Sequence, residues 1–364
     1  MNNSFLKRAT VASFSLAVLA AAIPVEATAG AAPTDRRKGT HAAQWQATQL
    51  HKGRIHNGEF DFDDWGLTID TAIMLAADGT QRRSIRRITT AIENNYFDEY
   101  ATFGRYKFAG PMAKTLLAAK VLDQPVRNFG NKNLRKQVLG LVARHGKGFE
   151  FGRLKDSAEN DYSNTFTQAY GVLGLARTGG VRQSVVNYLG KQQCRAGYFR
   201  LEETARQNCN QANGRPDIDA TALAVQALVA ARRSGAHVPA LSVKEAARWL
   251  VKVQRRNGSF GGGVSTAGAN TNSTGLAAQA LALTNHPRAQ REAANWVSKL
   301  QITPRRAGDG PGARDIGAIA YDKAALRNAL NTGIRGPQRD QFRRATPMAF
   351  FALVPKSFAT ISAP

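Results

Sequence analysis

Cysteine is nearly missing from this chain: Cys194 and Cys209 are the whole supply in 364 residues. Neither has a Cys or His partner at zinc-site spacing, and the next His, His237, comes 28 residues after Cys209. A structural zinc is therefore not expected, and no other metal site is read. Acidic residues are also short, 26 against 50 Lys and Arg, which leaves a net charge of +24. Long apolar runs are absent apart from Val11–Ile23, which is too short to span a bilayer comfortably. Period-two alternation is confined to Gly197–Leu201, so strands contribute little. Gly261-Gly262-Gly263 follows no strand, so neither a P-loop nor a dinucleotide fingerprint is present, and no cofactor is expected.

What is present begins at the N-terminus. Lys7 and Arg8 precede the apolar run, and Ala27-Thr28-Ala29 follows it. That order reads as a secretory signal over residues 1–29, with mature protein starting near Gly30 and a disordered stretch over residues 30–40. Export makes a Cys194–Cys209 disulfide the expectation, with a loop-closure benefit of about 3 kcal/mol. The basic excess falls in scattered pairs such as Arg82-Arg83, Arg232-Arg233, Arg255-Arg256 and Arg343-Arg344. Scattered pairs fit solvated outer faces better than a nucleic-acid groove. The partner they suggest is an anionic cell-wall polymer or membrane surface, and no nucleic acid. Oligomeric state is not legible.

The middle of the chain repeats. Ala246–Leu283 is a helical segment with Trp249, Leu250 and Val253 on one side, a Gly break at Asn257–Gly263, and a second helical segment. In that second segment Thr274, Ala277, Ala278 and Leu281 share a helix face, and the residues between them are small and apolar. A helix that is apolar most of the way round is buried on both sides. The first segment is thus an outer helix and the second an inner one. Marks equivalent to Thr274 recur at Thr68, Gly110, Thr165, Thr221 and Gly317, at steps of 42, 55, 56, 53 and 43 residues. Steps of that size mean a solenoid or a closed array. Thr346 comes 29 residues after Gly317, and its helix is read as a terminal closing piece. The expectation is one all-α domain over residues 41–364, a closed barrel of about six hairpins whose last inner helix runs from Ile316 to Asn331.

Polar residues stand at the starts of the inner helices. As N-caps they satisfy free helix N–H groups. In a closed ring those starts also share one rim, where the aligned N-termini favour polar or anionic groups. The candidate ligand-binding rim is Asp161, Tyr162, Asp217, Asp219, Thr221, Asn272, Thr274 and Asp315.

The order of outer helix, Gln, Gly–aromatic turn and inner helix resembles the α/α-toroid superfamily. Its members include squalene and terpene cyclases, protein prenyltransferase β subunits, the helical domain of cobalamin carriers and the thioester domain of complement. The residues that carry the likeness are Gln254–Gly261, Gln193–Phe199 and Gly146–Phe149. The resemblance covers residues 40–355 and implies an α/α toroid; this fold hosts enzymes and binders alike. Gly261 and Arg200 stand where the cyclase repeat carries Trp.

Asp61-Phe62-Asp63-Asp64 is similar to the D-x-D-D general-acid motif of class II terpene cyclases, in which neighbouring carboxylates keep one proton on. Trp65-Gly66-Leu67 separates it from the Thr-bearing helix, unlike the family pattern. The prenyltransferase zinc ligands, Asp, Cys and His, have no counterpart set. Helical toroids also carry glycoside hydrolases and polysaccharide lyases, for which Asp161 and Asp219 would be the carboxylates. The catalytic candidates are Asp61, Asp63, Asp64 and Asp161. The leading expectation is an exported toroid that binds a ligand at its mouth near an anionic envelope. The rivals are a terpene cyclase-like or prenyltransferase-like enzyme, and a hydrolase or lyase acting on an acidic glycan.

Overall fold

Six inner helices form a ring, and the last packs back on the first. The computed structural model describes residues 33–144, 148–203 and 206–364. The inner helices are α2 (Trp65–Asp78), α4 (Ala109–Val121), α6 (Thr165–Arg177), α8 (Ile218–Arg233), α10 (Thr271–Leu283) and α14 (Pro337–Leu353). Each packs on the next in that order, and α14 packs on α2. The outer helices are α1 (Pro33–Thr48), α3 (Arg82–Tyr96), α5 (Leu134–Gly140), α7 (Gln183–Gly190), α9 (Ala240–Val253) and α11 (Pro287–Ser298). Each outer helix packs on the inner helix before it, α3 on α2, α5 on α4, α7 on α6, α9 on α8 and α11 on α10, while α1 packs on both α14 and α2 and α11 also touches α14. This is an α/α toroid of six hairpins.

Composition explains the two layers. In α8 every residue from Ala220 to Ala231 is buried, and α10 is buried in the same way on all sides. Small side chains let such helices sit between a barrel interior and an outer layer. In α3, by contrast, Ile85, Ile88 and Ile92 bury one face while the arginines stay outside. The starts use the residue types expected of N-caps: Asp64, Asn164, Asp217 and Asn270 each accept a backbone N–H from the first turn.

The turn between outer and inner helix is the repeating device. A Gly of positive φ stands at Gly53, Gly152, Gly197, Gly258 and Gly317. At each, an added Cβ would strike a backbone carbonyl of the following outer helix: Arg87, Ser184, Glu245, Glu292 and, across the ring closure, His41. Two residues later a backbone N–H points down at the inner helix. Thr68 Oγ accepts it from Ile55 at 2.9 Å, Thr221 from Phe199 at 2.8 Å, Thr274 from Phe260 at 2.9 Å and Thr346 from Ile319 at 3.1 Å. In α6 Gln168 Oε1 takes that place, 2.8 Å from Leu154 N. A glutamine ahead of the Gly then ties the turn to the next hairpin. Gln193 donates to Gly197 and Ser242, Gln254 to Gly258 and Ala289, and Gln301 to Gly317 and Lys38.

Several expectations need correction. The sixth inner helix is α14, which carries Thr346, and not Ile316–Asn331. Ile316–Tyr321 is an extended turn that bridges Gln301 through Ile319. The helix that follows, α13 (Lys323–Thr332), buries only Ala329 and lies outside the ring. A short helix α12 (Pro304–Ala307) and a 3₁₀ turn (Pro311–Asp315) are inserted between Gln301 and Gly317. Residues 33–40 form the first turns of α1 instead of a disordered stretch. The expected secretory signal, residues 1–29, lies outside the described residues. The proposed Gly146–Phe149 turn falls partly outside them, and the turn glycine of that hairpin is Gly152.

The far end of the barrel is closed by residues 354–364. Phe358 and Ile361 are buried there. Phe358 N and Ser357 Oγ donate to Gln226, Gln279 donates to Lys356 O, and Arg177 donates to Phe358 O and Ile361 O. The barrel therefore opens only at the inner N-termini among the described residues. The Cys194–Cys209 disulfide is formed, with an S–S distance of 2.04 Å, in the loop before α8. No helix among the described residues is long and apolar enough to cross a membrane.

Candidate functional site at the barrel mouth

Thr68, Gln168, Thr221, Thr274 and Thr346, which hold the turns, and Met112, four residues after the N-cap of α4 as Thr221 is after that of α8, put the six inner helices in one register. Residues two before and two after such a position are four apart, so they share a helix face. The upper set is Gly66, Gly110, Phe166, Asp219, Asn272 and Arg344; the deeper set is Asp70, Lys114, Tyr170, Leu223, Leu276 and Met348. In helices otherwise mostly buried, all of these but Leu223 reach solvent to some degree. One set of partly exposed positions, repeated in register round a closed ring, defines a common mouth.

The mouth has two chemically distinct sides. On the side of α2 and α4, Lys114 Nζ lies 2.8 Å from Asp70 Oδ1, donates to Gly66 O at 3.0 Å and stands 5.8 Å over the Tyr170 ring. Burial opposes charge on Lys114, but the Asp70 carboxylate outweighs it and holds the amine protonated. Burial pushes the Asp70 carboxyl upward against the pull of Lys114. Tyr100 reaches this group because α3 ends in a π turn (Phe97–Ala101). Burial raises the phenols of both Tyr100 and Tyr170.

The other side is Asp219. Its carboxyl is pushed up to about 7, mainly by burial, with Asp217 adding to the rise and Ser273 opposing it. Asp219 Oδ1 and Asn272 Oδ1 are both buried acceptors without a hydrogen-bond donor among the described residues. Buried polar atoms are normally satisfied, and with Ser273 Oγ three unsatisfied ones fall on the adjoining helices α8 and α10. Asp219 stands in the wall of a cavity of about 710 Å³, with Phe166, Leu201, Pro216 and Val264 beside the charged Glu202 and Arg215. Its volume is that of a small-molecule site, and its wall mixes apolar with charged groups.

The residues marked from sequence are dispersed. Asp219 and Asn272 face the mouth. Asp217 borders the same cavity and caps α8 through Ala220 N at 2.7 Å. Thr221 and Thr274 are buried under their turns. Asp161 pairs with Arg153 at 3.0 Å and accepts backbone N–H groups from Asp156 and Ser163, while Tyr162 is 74% exposed. Asp315 sits in the inserted 3₁₀ turn, held by Trp45 Nε1 at 3.0 Å and Arg339 at 3.1 Å. Of the D-x-D-D carboxylates, Asp61 is 96% exposed, Asp63 is held by Arg54 and His56, and Asp64 caps α2 and pairs with Arg344 at 2.6 Å. The carboxyls that burial raises lie elsewhere, at Asp70, Glu203 and Asp219 among others. Sequence reasoning passed over Asp70, Lys114, Tyr100, Tyr170 and Arg344. Counting four residues on from Gly66, Gly110 and Phe166 would have found Asp70, Lys114 and Tyr170.

The sequence matches no model of a protein family and no curated protein. Solved structures do match. The type II terpene cyclase MstE from Scytonema shares 14% identity over 88% of this chain and 97% of its own, with a TM-score of 0.62. A possible GH105 family member from Salmonella enterica serovar Paratyphi A shares 13% identity over 88% and 93%, at 0.57. A family 88 glycosyl hydrolase from Bacteroides vulgatus shares 11% identity over 88% and 97%, at 0.53. At these identities the likeness is one of fold: the chain is an α/α toroid.

Proposed function

We propose that this protein binds a small ligand at the barrel mouth, across α6, α8 and α10. The observation that carries the reading is the orphaned acceptor Asp219 Oδ1 on a residue that lines a cavity of about 710 Å³. With its carboxyl near 7, Asp219 is partly protonated at neutral pH and can donate to a ligand oxygen as well as accept from a hydroxyl. Phe166, Leu201 and Val264 supply the apolar contact. The ligand class that fits is an amphipathic molecule with one hydroxyl or carbonyl end. Export is part of the proposal: a disulfide is the chemistry of an oxidising compartment.

Native mass spectrometry and thermal-shift assays on the protein, with a panel of prenyl alcohols, prenylated phenols and short glycosides, test the reading. At least one class should be retained and should raise the melting temperature, and Asp219→Asn should weaken it. Retention of none would end the proposal. A second reading is favoured by Asp219 itself. A carboxyl titrating near 7 suits general acid catalysis, as a cyclase or hydrolase toroid would need. Turnover of a panel compound that disappears in Asp219→Asn, with ligand still bound, would select that reading.

A further inference from the structure

Outside the ring, beside outer helix α5, lies a second and larger cleft of about 1080 Å³. Its walls come from the hairpin before α4, the loop that leads into α5, α5 and the segment after it to Arg144, and the stretch from Lys155 to Ser157. Six cations line it: Arg105, Lys107, Lys132, Lys136, Arg144 and Lys155. Arg105, Lys132, Lys136 and Arg144 are exposed. Lys155 has Glu150 at 3.8 Å, and the other five have no ion pair among the described residues. Lys107 is held by the Gln137 amide at 2.9 Å, which fixes the ammonium without neutralising it. The acid in the lining, Asp156, is turned away. Its oxygens accept the backbone N–H groups of Ala109 at 2.7 Å and Tyr162 at 3.1 Å.

We infer that this cleft is a docking groove for a linear carboxylated polysaccharide. Five cations without an ion pair on one concavity cost repulsion in the free protein, and a polyanion removes it. Several features choose the polymer. A concave cleft suits a strand, whereas a bilayer presents a plane. Among the described residues the lining contains no aromatic side chain, which leaves little for bases to stack on inside the cleft. Asn131, Asn133, Gln137 and Ser157 intersperse the cations with hydroxyl-seeking groups, which match a chain of alternating carboxylates and hydroxyls. None of the mouth residues belongs to this lining, so the inference stands apart from the mouth reading.

The test measures binding of a polygalacturonate decamer by titration calorimetry at low and moderate salt. Dextran, a thymidine decanucleotide and phosphatidylglycerol vesicles serve as comparison ligands. Binding of the decamer should weaken with salt, and the double variant Lys136→Gln/Arg144→Gln should bind roughly tenfold more weakly. Arg232→Gln/Arg233→Gln, which neutralises two exposed arginines at the other end of the molecule, should bind as the parent does. Asp219→Asn should also leave decamer binding unchanged. Four results overturn the inference: no decamer binding, equal loss in both double variants, tighter binding of the oligonucleotide or the vesicles, or dextran bound as well as the decamer. Circular dichroism checks each fold, and Lys132→Gln replaces any double variant that does not fold.

Discussion

Gly317 lies directly against the backbone carbonyl of His41, and that contact closes the ring. A Cβ at Gly317 would overlap this oxygen, and the residue's φ of 102° is one that L side chains avoid. Gly258 meets the Glu292 carbonyl in the same way. Gly317→Ala and Gly258→Ala should therefore each lose about 2–4 kcal/mol in urea denaturation. Gly140→Ala is the control, because nothing lies within 4 Å of its added methyl. It should be neutral or gain a few tenths of a kcal/mol. Equal behaviour of Gly317→Ala and Gly140→Ala would contradict the proposed closure.

Gln301 makes the matching side-chain link, donating 3.0 Å to Gly317 O and 2.8 Å to Lys38 O. Leucine at 301 would leave both carbonyls without this donor in a buried place. A loss of about 1–3 kcal/mol is expected. Gln254→Leu, at an equivalent but less buried turn, should lose less. The ratio is read from paired denaturation midpoints.

How far this architecture was legible depended on where the repeat stayed regular. Thr68, Thr221 and Thr274 were picked out by spacing, and each proves to hold a turn N–H. Thr165 missed by three residues because Gln168, a longer acceptor, does that work in α6. Gly110 missed by two, since a π turn and a short hairpin replace the Gly turn in that unit. Spacing places Gly317 in an inner helix, whereas it is the turn glycine. An insertion of α12 and a 3₁₀ turn separates it from Gln301, and α13 separates it from α14. Periodicity cannot see through inserted segments. At the mouth, Asp219 and Asn272 were legible as polar helix starts. Asp70 and Lys114 were not, because they look like single charges on apolar helices until the ring brings them to 2.8 Å.

Two carboxyls make stability depend on pH. Burial pushes Asp219 to about 7 from an ordinary 3.8, and Glu203, beside Arg153 and Tyr188, to about 7 from 4.5. Both folded values lie above the unfolded ones, so the folded chain holds these protons longer. Their stabilising effect is complete below about pH 4 and is lost as pH rises toward about 7, with no further change above. Each carboxyl contributes at most about 1.4 kcal/mol per pH unit in that window. Asp219→Asn removes one contribution, so its stability relative to the parent should improve from pH 5 to pH 7 and then level off. A difference that stays flat across this range would show Asp219 titrating normally.

The tail that closes the far end of the barrel gives the last prediction. Phe358 is buried against Phe351, with ring centroids 5.1 Å apart, and its backbone is held at both ends by Gln226 and Arg177. Phe358→Ala should cost about 3–5 kcal/mol, the range for an aromatic removed from a packed core. Deleting residues 356–364 goes further, because Gln226, Gln279, Arg177 and the Ala77 carbonyl lose the tail partners that satisfy them. Burying such groups unpaired costs more than the lost apolar contact, and the truncated chain should fail to fold cooperatively. Gln226→Leu combined with Gln279→Leu in the truncated chain replaces two of the orphans with apolar groups. It should recover part of the lost stability if unpaired polar atoms, and not the missing Phe358 alone, are what destabilise the open barrel. Thermal denaturation of the three proteins decides between the two causes.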